Sequence, residues 1–104
     1  MSNDRLIQLR KFYEEDPNDP FNIYGLALEY LKHDVNQSKQ LFDLLLTDHA
    51  EYLPTYFHAA KLYQDLNELA RAASIYEKGI ALAQRLNEPK ARRELQTAYD
   101  ELMF

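Results

Sequence analysis

Cysteine is absent from the 104-residue chain, and glycine and proline are scarce, with two and four residues. Without cysteine the chain forms no disulfide, zinc–thiolate or iron–sulfur site and has no thiol nucleophile. The two glycines, at positions 25 and 79, are too few for a glycine-rich phosphate loop. So few turn-forming residues disfavour a β-sheet fold. We expect an all-α protein without a cofactor, in a reducing compartment such as the cytoplasm.

Long apolar runs are also missing. No segment approaches the about 18 consecutive apolar residues that a membrane helix needs. The first ten residues are polar, so we expect no signal peptide and no membrane association. The length fits a single domain.

The charge is negative and unevenly distributed. The formal net charge is −5, and residues 1–52 carry ten acidic and five basic side chains, whereas residues 53–104 carry seven of each. A negative surface repels phosphate backbones, so we expect no nucleic-acid partner. The basic cluster of Lys90, Arg92 and Arg93 is interpreted as a solvated helix face.

Apolar residues recur at three- and four-residue spacing along most of the chain, which predicts about six helices. Asp19-Pro20 and Asp34 are predicted N-terminal caps, and Pro54 begins a further helix. Asn67 is predicted as the N-cap of the fifth helix, and Pro89 lies at the start of the sixth. No segment alternates as a strand would.

Pairs of helices repeat along the chain with a period of 33 to 34 residues, which is the strongest signal in the sequence. Bulky, small and aromatic residues match in order between the two copies. The pairs 33 apart are Ile23 with Tyr56, Ala27 with Ala60 and Tyr30 with Tyr63; the pairs 34 apart are Ser38 with Ala72, Phe42 with Tyr76 and Leu45 with Gly79.

This pattern of small and aromatic residues resembles the tetratricopeptide repeat (TPR) family. The resemblance implies one TPR-like domain, 1–104, an α-solenoid of antiparallel helix-turn-helix repeats. Its parts are a leading helix at 4–17, repeats at 20–47 and 53–86, and a capping helix at 88–103. Two positions depart from the family pattern. Leu45 is large where the family has a small residue, and Gln84 replaces the closing proline, so the fifth helix is predicted to continue toward Arg85 or Leu86.

The resemblance also implies a function, since the first helix of each TPR repeat lines a concave groove that binds a protein or peptide. The predicted groove residues are Phe21, Tyr24, Leu28, Lys32, Phe57, His58, Lys61, Gln64 and Asp65. Lys32, Lys61 and His58 are candidates for orienting a carboxylate. Leu28 and His58 stand where the chaperone-binding members have asparagines, so we do not expect that specificity. In an alternative interpretation the leading helix buries Phe21, Tyr24 and Leu28.

Two other functions compete with a protein-binding adaptor. Met103-Phe104 and the apolar stripe could support a homodimer. An enzyme is not expected, because His33, His49 and His58 form no HxxxH or HExxH pair and no metal site is indicated. An ordered ligand or metal among His58, Lys61 and Asp65 would be needed to support catalysis.

Overall fold

A computed structural model describes residues 4–104, and within that range the chain is all helix and turn, with no strand. The helices are α1 (Asp4–Glu15), α2 (Pro20–Tyr30), α3 (Val35–Asp48), α4 (Thr55–Asp65), α5 (Leu69–Arg85) and α6 (Pro89–Met103). The predicted all-α fold, with helix pairs after a leading helix and before a terminal one, is confirmed. Residues 1–3, the start of the polar N-terminal stretch, lie outside the described range.

The helices form two compact units, one ending at Tyr52 and one running from Leu53 to Phe104. In the first unit α2 packs against both α1 and α3. The predicted caps of this unit are confirmed. Asp19 accepts a hydrogen bond from the Phe21 amide at 3.0 Å, and Asp34 accepts bonds from the Asn36 and Gln37 amides at 3.1 and 3.3 Å.

Small residues bring α2 and α3 together. Ala27 and Ser38 are both fully buried, and the Ser38 hydroxyl donates to the Ala27 carbonyl oxygen at 2.7 Å. Phe42 and Leu45 of α3 are also fully buried. Leu45, which departs from the family pattern, is therefore accommodated as a core residue.

In the second unit α5 packs against both α4 and α6. Gly79 lies at the meeting point, where an added Cβ atom would be 2.7 Å from the Cβ of Tyr56 on α4 and 3.2 Å from Leu95 Cδ1 on α6. Ala60 and Tyr63, the small and aromatic residues of the repeat pattern, are buried. The predicted extension of the fifth helix is confirmed, since α5 ends at Arg85.

The prediction that Asn67 caps the N-terminus of the fifth helix is wrong. Asn67 has a φ of 62° and follows the end of α4, and Asn87 has a φ of 58° and follows the end of α5. The amide of Glu68 donates to the Tyr63 carbonyl at 2.9 Å and the amide of Asn67 donates to the Gln64 carbonyl at 2.9 Å, which is a Schellman motif. Asparagine is favoured here because its side chain tolerates left-handed backbone geometry.

Candidate functional site

One side of α4 carries the predicted groove residues of the second unit. Phe57, His58, Lys61, Gln64 and Asp65 lie on one stripe, at spacings of three, four and seven residues. We call these five residues the α4 face. The opposite side of the helix carries the buried residues Tyr56, Ala59, Ala60 and Tyr63. Of the five, Phe57, Lys61 and Asp65 are exposed, and His58 and Gln64 are half-buried.

An aromatic cluster lies at the N-terminal end of the α4 face. Phe57 is 38% exposed. Its ring centroid is 5.5 Å from that of His58 and 6.5 Å from that of Tyr76, and both pairs meet edge to face. Edge-to-face packing holds a ring in a defined orientation. Phe57 thus presents a positioned, partly exposed ring on the surface of the unit.

Tyr76 of α5 connects this cluster to the C-terminal end of the face. Its ring is buried, and its hydroxyl lies 3.2 Å from Gln64 Oε1, to which it donates. Gln64 therefore has a structural partner as well as a position on the face. From the sequence, Tyr76 was placed only in the repeat pattern, which accounts for its ring and says nothing about its hydroxyl.

The charged groups of the face are already in contact with each other or partly desolvated. Lys61 Nζ lies 3.6 Å from Asp65 Oδ1, one helical turn away, and both side chains are exposed. Partial burial lowers the pKa of His58, which favours the neutral imidazole. The pKa of Tyr76 is raised, first by burial and then by the carboxylates of Asp65 and of Glu101 on α6. The α4 face therefore carries charges of both signs, and the carboxylates of Asp65 and Glu101 act on the Tyr76 hydroxyl.

The predicted groove residues of the first unit differ in exposure. Phe21 is 68% exposed, whereas Leu28 is half-buried. The Tyr24 ring packs edge to face on Tyr52 at 5.7 Å, and burial followed by the neighbouring Tyr52 raises the Tyr24 pKa. Lys32 lies beyond the end of α2, and its Nζ is 3.7 Å from Glu29 Oε1.

The alternative in which α1 buries Phe21, Tyr24 and Leu28 is wrong for Phe21. Contacts from α1 reach a different stripe of α2, at Asn22, Gly25 and Glu29. The side-chain Nδ2 of Asn22 donates to the Phe12 carbonyl oxygen at 3.3 Å, and a Cβ at Gly25 would be 3.5 Å from Leu9 Cδ2. Helix geometry places the two stripes on different sides of α2.

Glu29 is a buried carboxylate that the sequence analysis missed. Arg5 Nε of α1 lies 3.2 Å from Glu29 Oε1, and His33 Nε2 lies 3.2 Å from Oε2. The pKa of Glu29 is lowered. The hydrogen bond to His33 is the largest cause, and Lys32 and Arg5 lower the Glu29 pKa further. The four-residue spacing of Glu29 and His33 is the signal that points to this pair. Because the groups connect α1 to the end of α2, we interpret them as structural.

Among residues 4–104, no group of three or more histidine, aspartate or glutamate side chains is arranged to hold a metal ion. Over the same residues, each helix is too short or too polar to cross a bilayer.

Comparison with solved structures identifies a close relative in fold and sequence. A tetratricopeptide repeat domain protein from Salinibacter ruber, determined by solution NMR, is 39% identical with a TM-score of 0.80; the match covers 84% of this chain and 89% of the other. A crystal structure of a tetratricopeptide repeat domain protein from the same organism is 37% identical with a TM-score of 0.78, covering 82% and 97%. No protein-family model matches the chain, and no curated protein matches it.

Proposed function

Because the chain belongs to the tetratricopeptide repeat family of protein-interaction modules, we propose that it binds a segment of a partner protein. The α4 face of the second unit supplies the anchor of this interaction. The observation that carries the proposal is Phe57, an exposed ring in an aromatic cluster, surrounded by polar side chains. An aromatic anchor with a polar surround is the usual composition of a binding hot spot.

Residues of α2 form a separate candidate surface on the first unit. Phe21 is too exposed to contribute to the core, so its ring is available to a partner. Tyr24 and Leu28 are partly exposed beside it. We assign them a smaller part than Phe57, because the Tyr24 ring already packs on Tyr52.

We infer binding rather than catalysis at the α4 face from its titratable groups. His58 packs against the phenyl ring of Phe57, burial favours its neutral form, and Lys61 is paired with Asp65. These contacts support a recognition role for the α4 face.

The test is capture of partner proteins from a lysate of the source organism, followed by affinity measurement on each purified partner. Phe57→Ala is expected to weaken binding at least about tenfold, as loss of an aromatic hot-spot residue does. Phe12→Ala is the matched control, because Phe12 on α1 is 44% exposed and is not among the proposed contacts. Equal loss with both variants, or no loss with Phe57→Ala, contradicts the proposal.

Self-association is the second candidate, favoured by Met103 and Phe104, which are 49% and 99% exposed at the end of α6. Exposed apolar residues of this kind support a symmetric dimer contact. Sedimentation at several concentrations separates the two functions. A dimer that dissociates on Phe104→Ala, together with unchanged partner binding, assigns the dimer to α6 and leaves the α4 face to the partner.

A further inference from the structure

The α1 helix contributes no buried side chain to the first unit. Each of residues 4–15 keeps part of its surface exposed, whereas α2 and α3 both bury several residues. The buried contact between Ala27 of α2 and Ser38 of α3 does not involve α1. Burial in the first unit is therefore concentrated on α2 and α3, and α1 lies on the outside of that pair.

As a separate segment α1 is also a weak helix. It has 12 residues, a length at which an isolated helix is marginal in water. Its last turn carries Glu14 and Glu15 and no basic residue, which is the unfavourable charge for the negative end of a helix. Once separated from α2, α1 is therefore expected to lose its helical structure, and its amides lose their protection from solvent.

The strongest polar contact between α1 and α2 can break without leaving a buried charge unpaired. Arg5 Nε lies 3.2 Å from Glu29 Oε1, with the arginine side chain 73% exposed and the carboxylate side chain 7% exposed. Lys32 Nζ is 3.7 Å from the same oxygen, and His33 Nε2 is 3.2 Å from Glu29 Oε2. Because these two partners follow α2, Glu29 keeps them when Arg5 leaves.

The other contacts of α1 are small. Leu9 faces the backbone of α2 at Gly25, where an added Cβ atom would lie 3.5 Å from Leu9 Cδ2. Asn22 Nδ2 spans the connection between the two helices and donates to the carbonyl oxygens of Phe12 and Asp16, at 3.3 and 3.2 Å. These contacts fix the position of α1 on α2 without fully burying any of its side chains.

We propose that α1 is a releasable cover of α2, which opens as a unit while α2 and α3 stay folded, and that the Arg5–Glu29 pair is its latch. Release uncovers the stripe of α2 that contains Gly25. The surface around Phe21 lies on a different side of α2 and is not covered by α1. The inference is independent of the proposed binding function. Segments that move in proteins are drawn from those with the lowest local stability.

Native-state hydrogen exchange, followed by NMR on the full chain below the denaturant concentration of global unfolding, tests the release. We expect the amides of α1 to exchange through an opening at least about tenfold more frequent than the one that exposes the most protected amides of α2 and α3. Protection of α1 equal to that of α2 and α3, lost at the same denaturant concentration, overturns the proposal.

Two variants test the latch. Arg5→Gln is expected to speed exchange in α1 at least about threefold, with a smaller change in α2 and α3. Arg10→Gln removes the same charge from an exposed position of α1 outside these contacts, and is the matched control. If both variants speed exchange in α1 equally, the pair of Arg5 with Glu29 is not the latch.

Substitution of Gly25 tests whether α2 and α3 stay folded without α1. Because the described neighbour of an added Cβ atom is Leu9, Gly25→Leu is expected to displace α1, so that the α1 amides lose protection and those of α2 and α3 keep it. Gly25→Ala, whose methyl group fits at 3.5 Å, is expected to retain α1. If Gly25→Leu removes protection from α2 and α3 as well, α1 is an integral part of the unit and the proposal is wrong.

Discussion

Gly79 and Tyr56 approach so closely that a methyl group on Gly79 would lie 2.7 Å from the Cβ of Tyr56. No ordinary side chain fits in that distance, so this contact sets how near α5 comes to α4. Leu95 of α6 lies on the same side, 3.2 Å from the added atom. The packing of all three helices of the second unit therefore depends on the missing side chain at position 79.

We expect Gly79→Ala to destabilise the protein by about 1–3 kcal/mol, because the overpacked contact outweighs the gain in helix propensity. Gly25→Ala is the matched control. There the added methyl meets only Leu9 Cδ2 at an ordinary 3.5 Å, so the propensity gain of up to about 1 kcal/mol remains. Chemical denaturation measures the free energy of unfolding of both variants. A stable Gly79→Ala variant would show that the helices are not held at this contact.

The left-handed residues after α4 and α5 give a second prediction. Asn67→Ala is expected to cost about 1 kcal/mol, because alanine is strained at a φ of 62°, whereas Asn67→Gly is expected to be neutral or slightly stabilising. Asn36→Ala, in the first turn of α3, is the control with ordinary helical geometry. Denaturation midpoints measure the stability of the three variants. An Asn67→Ala protein as stable as Asn67→Gly would contradict the Schellman assignment.

The buried carboxylate of Glu29 predicts how stability depends on pH. Its pKa is lowered in the folded chain relative to 4.5, so the unfolded state binds more protons in the acidic range. The stabilisation by Glu29 is complete at pH values above its pKa in the unfolded state. It is lost as the pH falls through its lower pKa in the folded state. We expect Glu29→Gln to be less stable at neutral pH and to lose less stability on acidification.

Unfolding free energies measured from pH 7 to pH 3 test this expectation. Glu14→Gln, which removes an equal charge from the exposed side of α1, is the control. A Glu29→Gln protein with the wild-type slope at acidic pH would show that the contacts to Arg5 and His33 contribute nothing to folding.

Much of the fold was predictable, because repeat packing leaves a direct trace in the sequence. Small residues such as Ala27 and Ala60 and aromatic residues such as Tyr63 recur at a fixed period and are buried in the structure. Helix N-caps such as Asp34 were also predicted correctly, because they depend only on one side chain and the next few backbone amides. Local chemistry and periodicity agree at these positions.

Other features depend on contacts that one sequence does not specify. Asn67 suits either a helix start or a helix end, and only the backbone geometry of the turn decides between them. The contact of Lys61 with Asp65 and the bond from the Tyr76 hydroxyl to Gln64 depend on side-chain rotamers and on the packing of α5 against α4. These contacts of the α4 face therefore required the structure, and the part of its residues in binding stays a prediction.

The most direct test of this account is amide-resolved NMR of the full chain, titrated with the partner segment that it captures. Because binding is proposed to centre on Phe57, the largest shift changes should fall on α4 and on the adjoining Tyr76. Changes concentrated instead on the exposed sides of α3 and α5, with α4 unaffected, would place the interaction elsewhere and contradict the account.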